Sequence, residues 1–305
     1  MAPPRGNDVH MIRPEHRHTR RSVLAGLAAF GALGAAGCTR VASASGKGGG
    51  DLLERLRALG VVRLGIAGEI PFGYIDRDGK LTGEAPELAK AVFKRLGVDR
   101  VQPVPTEFGS LIPGLKSQQF DVVAAGMYVT PDRCEQVIFA DPDYRMPDAF
   151  IVPKGNPLGL RTYADALRRH AKVATGSGYA QIQHAVEAGY EENDLVIVPD
   201  QVAGLNAVES GRVDLFAATA VTARLVARDS AGAESTEPFV ALVDGRPKAD
   251  GGAFAFRPTE TRLRDAFNAE LHKLRRSGEL YRIVRPFGFT RAEMTTLTAE
   301  ELCGR

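Results

Sequence analysis

The chain has 305 residues, 39 Lys+Arg against 37 Asp+Glu, 44% hydrophobic residues, three Cys and no Trp. That is enough for two ordinary domains with their own cores, and a charged fraction of 25% at this hydrophobicity excludes wholesale disorder. The net charge of +2 gives no sign of a nucleic-acid partner, because five Arg ahead of Cys38 (Arg5, Arg13, Arg17, Arg20, Arg21) outweigh Asp8 and Glu15 and the remainder is near neutral.

Residues 1–21 are polar and basic and end in Arg20-Arg21. Ser22–Gly37 then runs without a charge, shorter than the roughly 20 residues that span a bilayer. Basic, apolar and small-residue regions in that order make an export signal. Paired arginines before a mildly apolar run suggest the twin-arginine route. Ala35-Ala36-Gly37-Cys38 has the form of a lipoprotein cleavage site, with residues 1–38 as the signal and Cys38 acylated. A plain cleaved signal with an incidental Cys is the other reading. Residues 39–50 are small, polar and Gly-rich, a flexible tether. The expected location is extracytoplasmic, either lipid-anchored to the outer face of the cytoplasmic membrane or periplasmic.

From residue 51 onward, strands alternate with helices. Val61–Ala67 reads as a strand; Ala85, Leu88, Ala89, Val92, Phe93 and Leu96 recur at helical spacing; Gly97 stops that helix. A strand near Val101–Val104, a helix near Ser110–Ser117 and the strand Phe120–Ala125 follow. The pattern recurs with strand Lys172–Thr175, helix Ala180–Ala188, strand Leu195–Val198, helix Val202–Ser210 and strand Val213–Ala218. GLKSQQFDVVAAG (Gly114–Gly126) and AVESGRVDLFAAT (Ala207–Thr219) form a weak internal repeat. The chain closes with helical spacing at Leu263, Phe267, Leu271 and Leu274, then at Leu280, Ile283 and Val284. These elements predict an α/β fold of two αβα lobes, residues 51–148 plus 253–305 and residues 149–252. Strand-like segments near Asp148–Pro153 and Gly252–Phe256 join them and leave a ligand cleft between.

No P-loop, GxSxG or HExxH motif appears, so no catalytic set assembles and no cofactor or metal is implied. Gly176-Ser177-Gly178 is either an anion-binding turn or a plain one. His170, His184 and His272 have no spaced partner, which predicts surface or packing roles. Outside the cytoplasm, Cys134 and Cys303 are compatible with a bridge or with two separate thiols.

Four segments carry a family resemblance: Glu69-Ile70-Pro71-Phe72-Gly73-Tyr74, Gly83-Glu84-Ala85-Pro86-Glu87-Leu88-Ala89, Ile112-Pro113-Gly114-Leu115 and Thr130-Pro131-Asp132-Arg133. In order and spacing the chain resembles the family 3 solute-binding proteins of ABC importers across Asp51–Arg305. Within that family it is most similar to the ectoine- and hydroxyectoine-binding components, through EFGSLIPGL, AAGMYVTPDRC, VPKGNPLGL and the closing PFGF. The resemblance implies a periplasmic-binding-protein-like fold with a two-strand hinge and a monomer that catalyses no reaction. It also implies delivery of a small zwitterionic solute to an ABC permease and its ATPase.

The resemblance implies a site as well. Arg133 offers a planar fork to a carboxylate. Phe72, Phe108 and Tyr128 stand at the positions of an aromatic cage for a delocalised cation. Glu69 faces ring N–H groups, and Gly126, Gly178, Gln181 and Thr219 complete the set. Amino-acid binders of the family carry an Asp where this chain has Thr219, which argues against an α-ammonium group. Phe108 replaces an expected Tyr, and Gln181 replaces an acidic residue, so the second lobe is expected to read a somewhat different solute. Two rival expectations are a polar amino-acid binder and a cyclohexadienyl-dehydratase-like enzyme with Glu69 as its acid or base.

Overall fold

The computed structural model describes residues 51–243, 246–248 and 250–304. The export signal, Cys38 and the tether lie outside them. Two sheets form from the alternating elements. In the first, the strand order is Arg100–Pro105, Val61–Ile66, Val122–Tyr128, Gly251–Phe256 and Ile138–Phe139, with Tyr144–Arg145 also pairing to Gly251–Phe256. Its first three strands run parallel, and Gly251–Phe256 returns antiparallel. Val122, Val123, Ala124 and Ala125 are all buried, as a strand covered by helices on both faces requires. One cover is the helix Glu84–Arg95, which buries Leu88, Ala89, Val92 and Phe93 on one stripe. The opposite face takes Leu111 and Leu115 of the helix Leu111–Lys116, while Thr261–Arg276 lies beside Glu84–Arg95 and buries Leu263, Phe267, Leu271 and Leu274. The two meet through Phe93 and Phe267, whose ring centroids lie 5.7 Å apart.

The second sheet runs Val196–Val198, Val173–Gly176, Leu215–Thr219, Asp148–Pro153 and Ala233–Ser235. It repeats the design of the first. Val122–Tyr128 and Leu215–Thr219, the strands of the sequence repeat, each lie between a parallel neighbour and an antiparallel one. The Asp preceding each strand does the same work. Asp121 Oδ2 accepts from Arg63 N at 2.9 Å, and Asp214 Oδ2 accepts from Lys172 N at 2.7 Å. Each carboxylate thereby satisfies a backbone donor, Arg63 N within the neighbouring parallel strand and Lys172 N just ahead of it.

The strand-like segments near Asp148–Pro153 and Gly252–Phe256, expected to join the lobes, belong to the second and first sheet respectively, within strands Asp148–Pro153 and Gly251–Phe256. Both are apolar and buried, so each pairs within a sheet. The outgoing crossing is at Met146-Pro147, and the return precedes Gly251, because Gly251 and Gly252 already pair with Arg145 and Tyr144. Cys134 and Cys303 are bridged, with an S–S distance of 2.01 Å. The bridge ties the C-terminal helix, whose Ala299 and Leu302 enter the core beside Met127 and Val129, to the first lobe. Among the described residues no helix is long and apolar enough to cross a membrane.

Candidate functional site

A small, partly open cavity, with about 30 Å³ of room for the centres of water molecules, lies between the lobes. The first lobe contributes Glu69, Phe72, Phe108, Gly126, Tyr128 and Arg133, and the second Tyr179, Gln181, Thr219 and Thr222. Several of these stand where a strand ends, at Tyr128 and Thr219, or just beyond it, at Tyr179. Sites of open α/β sheets belong at carboxyl ends, because that is where backbone turns away and side chains converge.

The segment Glu69–Gly73 follows the Val61–Ile66 strand and is pinned from its own lobe. Gly73 N donates to Glu69 O at 3.0 Å, while Glu84 N and Ala85 N, opening their helix, donate to Pro71 O and Phe72 O at 2.9 Å each. Phe72 stacks on Tyr144 at 5.6 Å. It also crosses over Gly126, where an added Cβ would come within 2.2 Å of its ring and where φ is +65°. Glycine is required there on both counts. Phe108 opens a short turn and presents its ring to Arg133 Cζ at 5.7 Å and to Tyr179 at 5.2 Å edge-on. Tyr128 spends its hydroxyl on Met146 O at 2.9 Å, leaving its ring face for the cavity.

Arg133 does not pair with Asp132 or Glu135. Its Nη1 donates to Tyr128 O at 2.6 Å, and its Nη2 reaches across to Gly178 O at 2.7 Å. Desolvation lowers the guanidinium to about 10, against the opposing pull of neighbouring groups such as Tyr144 and Asp250, so it stays charged at neutral pH. Gly178 itself stands at the lip of the cleft. Its φ is +73°, and a Cβ there would meet Gly109 Cα of the opposite lobe at 2.8 Å. The lobes are therefore closed upon each other at this point.

Glu69 is 6% exposed and accepts a short hydrogen bond from the Tyr179 hydroxyl, across the cleft. Burial raises its carboxyl to about 7; the Tyr179 bond pulls it down and Asp200 pushes it further up. It is the one carboxyl side chain lining the cavity among the described residues. Thr219 lines the wall but acts as a helix cap, its Oγ1 accepting from Thr222 N at 3.3 Å. Gln181 is 3% exposed and its Nε2 donates to Asp148 Oδ1 at 2.7 Å.

Behind Gln181 lies a buried ionic cluster. Asp148 Oδ2 accepts from Tyr163 Oη at 2.8 Å and stands 2.7 Å from His184 Nδ1. His184 Nε2 lies 3.5 Å from Asp250 Oδ2, an ion-pair distance. Burial alone would lower the imidazole; Asp148 and Asp250 outweigh it and hold His184 up to about 10. Asp148 follows the outgoing crossing and Asp250 precedes Gly251, so one imidazolium bridges both chain crossings.

All the residues expected at the site line this cavity except Gly178, which enters through its carbonyl. The turn Gly176-Ser177-Gly178 is a plain turn at its two flanking N–H groups: Ser177 N donates to Val198 O and Tyr179 N to Gly176 O. Sequence reasoning missed Tyr179, the fourth ring of the wall, although its place directly after a Gly-rich turn at a strand end was a usable signal. It also missed His184 and His272, which pair with Asp148 and Asp141. Those partners lie 36 and 131 residues away, beyond any local pattern.

The sequence profile of the bacterial extracellular solute-binding proteins, family 3, matches residues 62–290. A probable amino-acid ABC transporter periplasmic-binding protein of Sinorhizobium fredii is 33% identical over 261 residues, covering 84% of this chain and 87% of that protein. The arginine-binding extracellular protein ArtP of Bacillus subtilis is 29% identical, over 70% of this chain and 80% of its own. Among solved structures, that of EhuB in complex with hydroxyectoine is 37% identical and superimposes with a TM-score of 0.74, covering 82% of this chain and 97% of its own.

Proposed function

We propose, for a chain that belongs to family 3 of the bacterial extracellular solute-binding proteins, that the cavity captures ectoine or hydroxyectoine for an ABC importer. The carrying observation is the wall itself: four aromatic rings, a single guanidinium and a single carboxyl group around one small volume. A compact zwitterion with a delocalised cation matches that inventory. Its carboxylate meets the Arg133 fork and its cation the faces of Phe72, Phe108 and Tyr128. Ring N–H groups meet Glu69. In this reading Gly126 gives Phe72 its room, while Gly178, Gln181 and Thr219 shape the far wall. Closure traps the solute, and the closed protein docks on the permease, whose ATPase drives release. The protein works as a monomer outside the cytoplasm, cleaved at Cys38 and held to the membrane by an acyl chain there. In this reading it catalyses no reaction, in keeping with relatives named as ABC transporter binding proteins.

One observation favours a second reading. Glu69 is able to hold an α-ammonium group, and relatives in Sinorhizobium fredii and Bacillus subtilis are named as amino-acid binders. Titration calorimetry of the purified protein with ectoine, hydroxyectoine, glycine betaine and a panel of amino acids separates the two. The expected result is micromolar or tighter binding of a cyclic zwitterion and no heat from arginine, glutamine or cystine. Saturable binding of an amino acid alone would remove the ectoine reading and leave the family assignment.

The pH dependence follows from Glu69. Its carboxyl sits near 7 in the unliganded cavity, and a bound cation favours the ionised form. Below that value, binding must first expel a proton. Affinity is expected to fall roughly tenfold between pH 8 and pH 6, as the proton released on binding rises from about a tenth to about nine-tenths per molecule. Buffers of different ionisation enthalpy should reveal that proton in the heat. Glu69→Gln should bind more weakly at pH 8 and lose the slope; a slope that survives the substitution assigns the proton elsewhere.

A further inference from the structure

Gln201 is 5% exposed yet does not line the cavity. It opens the helix Gln201–Glu209 of the second lobe, whose start is fixed by Asp200, its Oδ1 accepting from Val202 N at 2.9 Å and Ala203 N at 2.8 Å. The Gln201 carboxamide spans the cleft. With the amide oriented so that both Ile70 backbone groups are satisfied, its Nε2 donates to Ile70 O at 2.9 Å and its Oε1 accepts from Ile70 N at 3.0 Å. Ile70 lies between Glu69 and Phe72, both of which line the cavity, and its own side chain is 43% exposed. Its backbone pair is thus a principal anchor for the upstream half of that segment. The downstream half is held by its own lobe, through Glu84 N and Ala85 N.

We propose that Gln201 is a positioning residue of the solute site: from the second lobe it grips the Ile70 backbone and thereby fixes Glu69 and Phe72 when the cleft shuts. This rests on the reading of the cavity as the solute site. Both bonds exist only with the lobes together; when the lobes part, water takes over each group. Gln201 therefore adds to affinity and residence time without touching solute, and it adds the same amount for every solute that lets the cleft close. Residues of the wall, by contrast, change solutes relative to one another.

Two variants test this, Gln201→Ala and Gln201→Glu. In the solute-saturated protein, NMR hydrogen exchange at the Ile70 amide should be roughly tenfold faster in Gln201→Ala, which removes its acceptor. Gln201→Glu retains an acceptor for that amide but loses the donor to Ile70 O, so its protection should lie between the other two. For every solute that the wild type binds, Gln201→Ala should raise the dissociation constant by one common factor of roughly ten, through the dissociation rate. Unchanged Ile70 exchange, or affinities that move solute by solute, would overturn the proposal. If the wild type binds none of the solutes, the capture reading fails and the positioning role falls with it, whereas solute binding that Gln201→Ala leaves unchanged sinks the positioning role alone.

Discussion

Replacing Arg133 with alanine is expected to weaken solute capture by roughly two to three orders of magnitude, the cost of a charge-assisted fork. Two effects act together. The substitution leaves a bound carboxylate in a closed cavity with no countercharge, and it removes the link between Tyr128 O of the first lobe and Gly178 O of the second. Arg133→Lys separates them. It retains a charge but neither the planar fork nor the reach to both carbonyls, so it should recover only part of the loss. Calorimetry on both variants reads the effect, with thermal melting as the control for folding. Arg133 lies on a four-residue helix in the partly exposed rim of the cleft, so melting should move little. A dissociation constant within threefold of wild type for Arg133→Ala would mean that the solute binds elsewhere.

His184→Leu is expected to act on the fold itself. Asp148 and Asp250 are 2% exposed and nearly buried respectively, and the imidazolium is the cation between them. Removing one partner of a buried ion pair costs roughly 3–5 kcal/mol. At this chain length that is a fall on the order of 10 °C in melting temperature. Adding Asp148→Asn should restore part of it, because the stranded charge is then gone. The pH dependence has a definite sign. His184 is held up to about 10, above its ordinary value of 6.5. Its contribution is therefore complete below about pH 6.5 and is lost as pH rises through 10. Wild-type melting temperature should decline from pH 8 to pH 10.5, and the decline should be shallower in His184→Leu. Equal slopes in both proteins would show that His184 is neutral in the fold.

The His184 cluster also reaches the cavity, since Asp148 holds the Nε2 of Gln181 in the wall. Loss of His184 is expected to disturb capture as well as stability. The two are separable: Arg133 variants lose binding with the melting temperature kept, whereas His184 variants lose both.

Much of this molecule was legible in order of residues alone. The alternation of β-branched runs with helical stripes named an α/β chain, because burial on a helix or a strand imposes a period that sequence must carry. The recurrence of an apolar strand after an Asp marked the corresponding strands of two similar sheets. Family-specific spacing located Glu69, Phe72, Phe108, Tyr128 and Arg133, all of which the fold gathers around one cavity.

What the sequence could not decide were the long-range choices. Asp148–Pro153 and Gly252–Phe256 read as strand-like joining segments; pairing partners far along the chain make them members of two different sheets. Two cysteines 169 residues apart were compatible with a bridge or with free thiols, and only the docking of the C-terminal helix brings their Cα atoms to 5.8 Å. His184 looked partnerless because its carboxylates come from the two chain crossings. Gln201 lay just ahead of the expected helix Val202–Ser210 and gave no sign, since its partner is the backbone of the opposite lobe, which carries no sequence signal at all. Local periodicity fixes which face of an element is apolar, and therefore the class of fold. Which polar groups meet across a cleft depends on how two lobes close, a property of packing between distant segments that no local window contains.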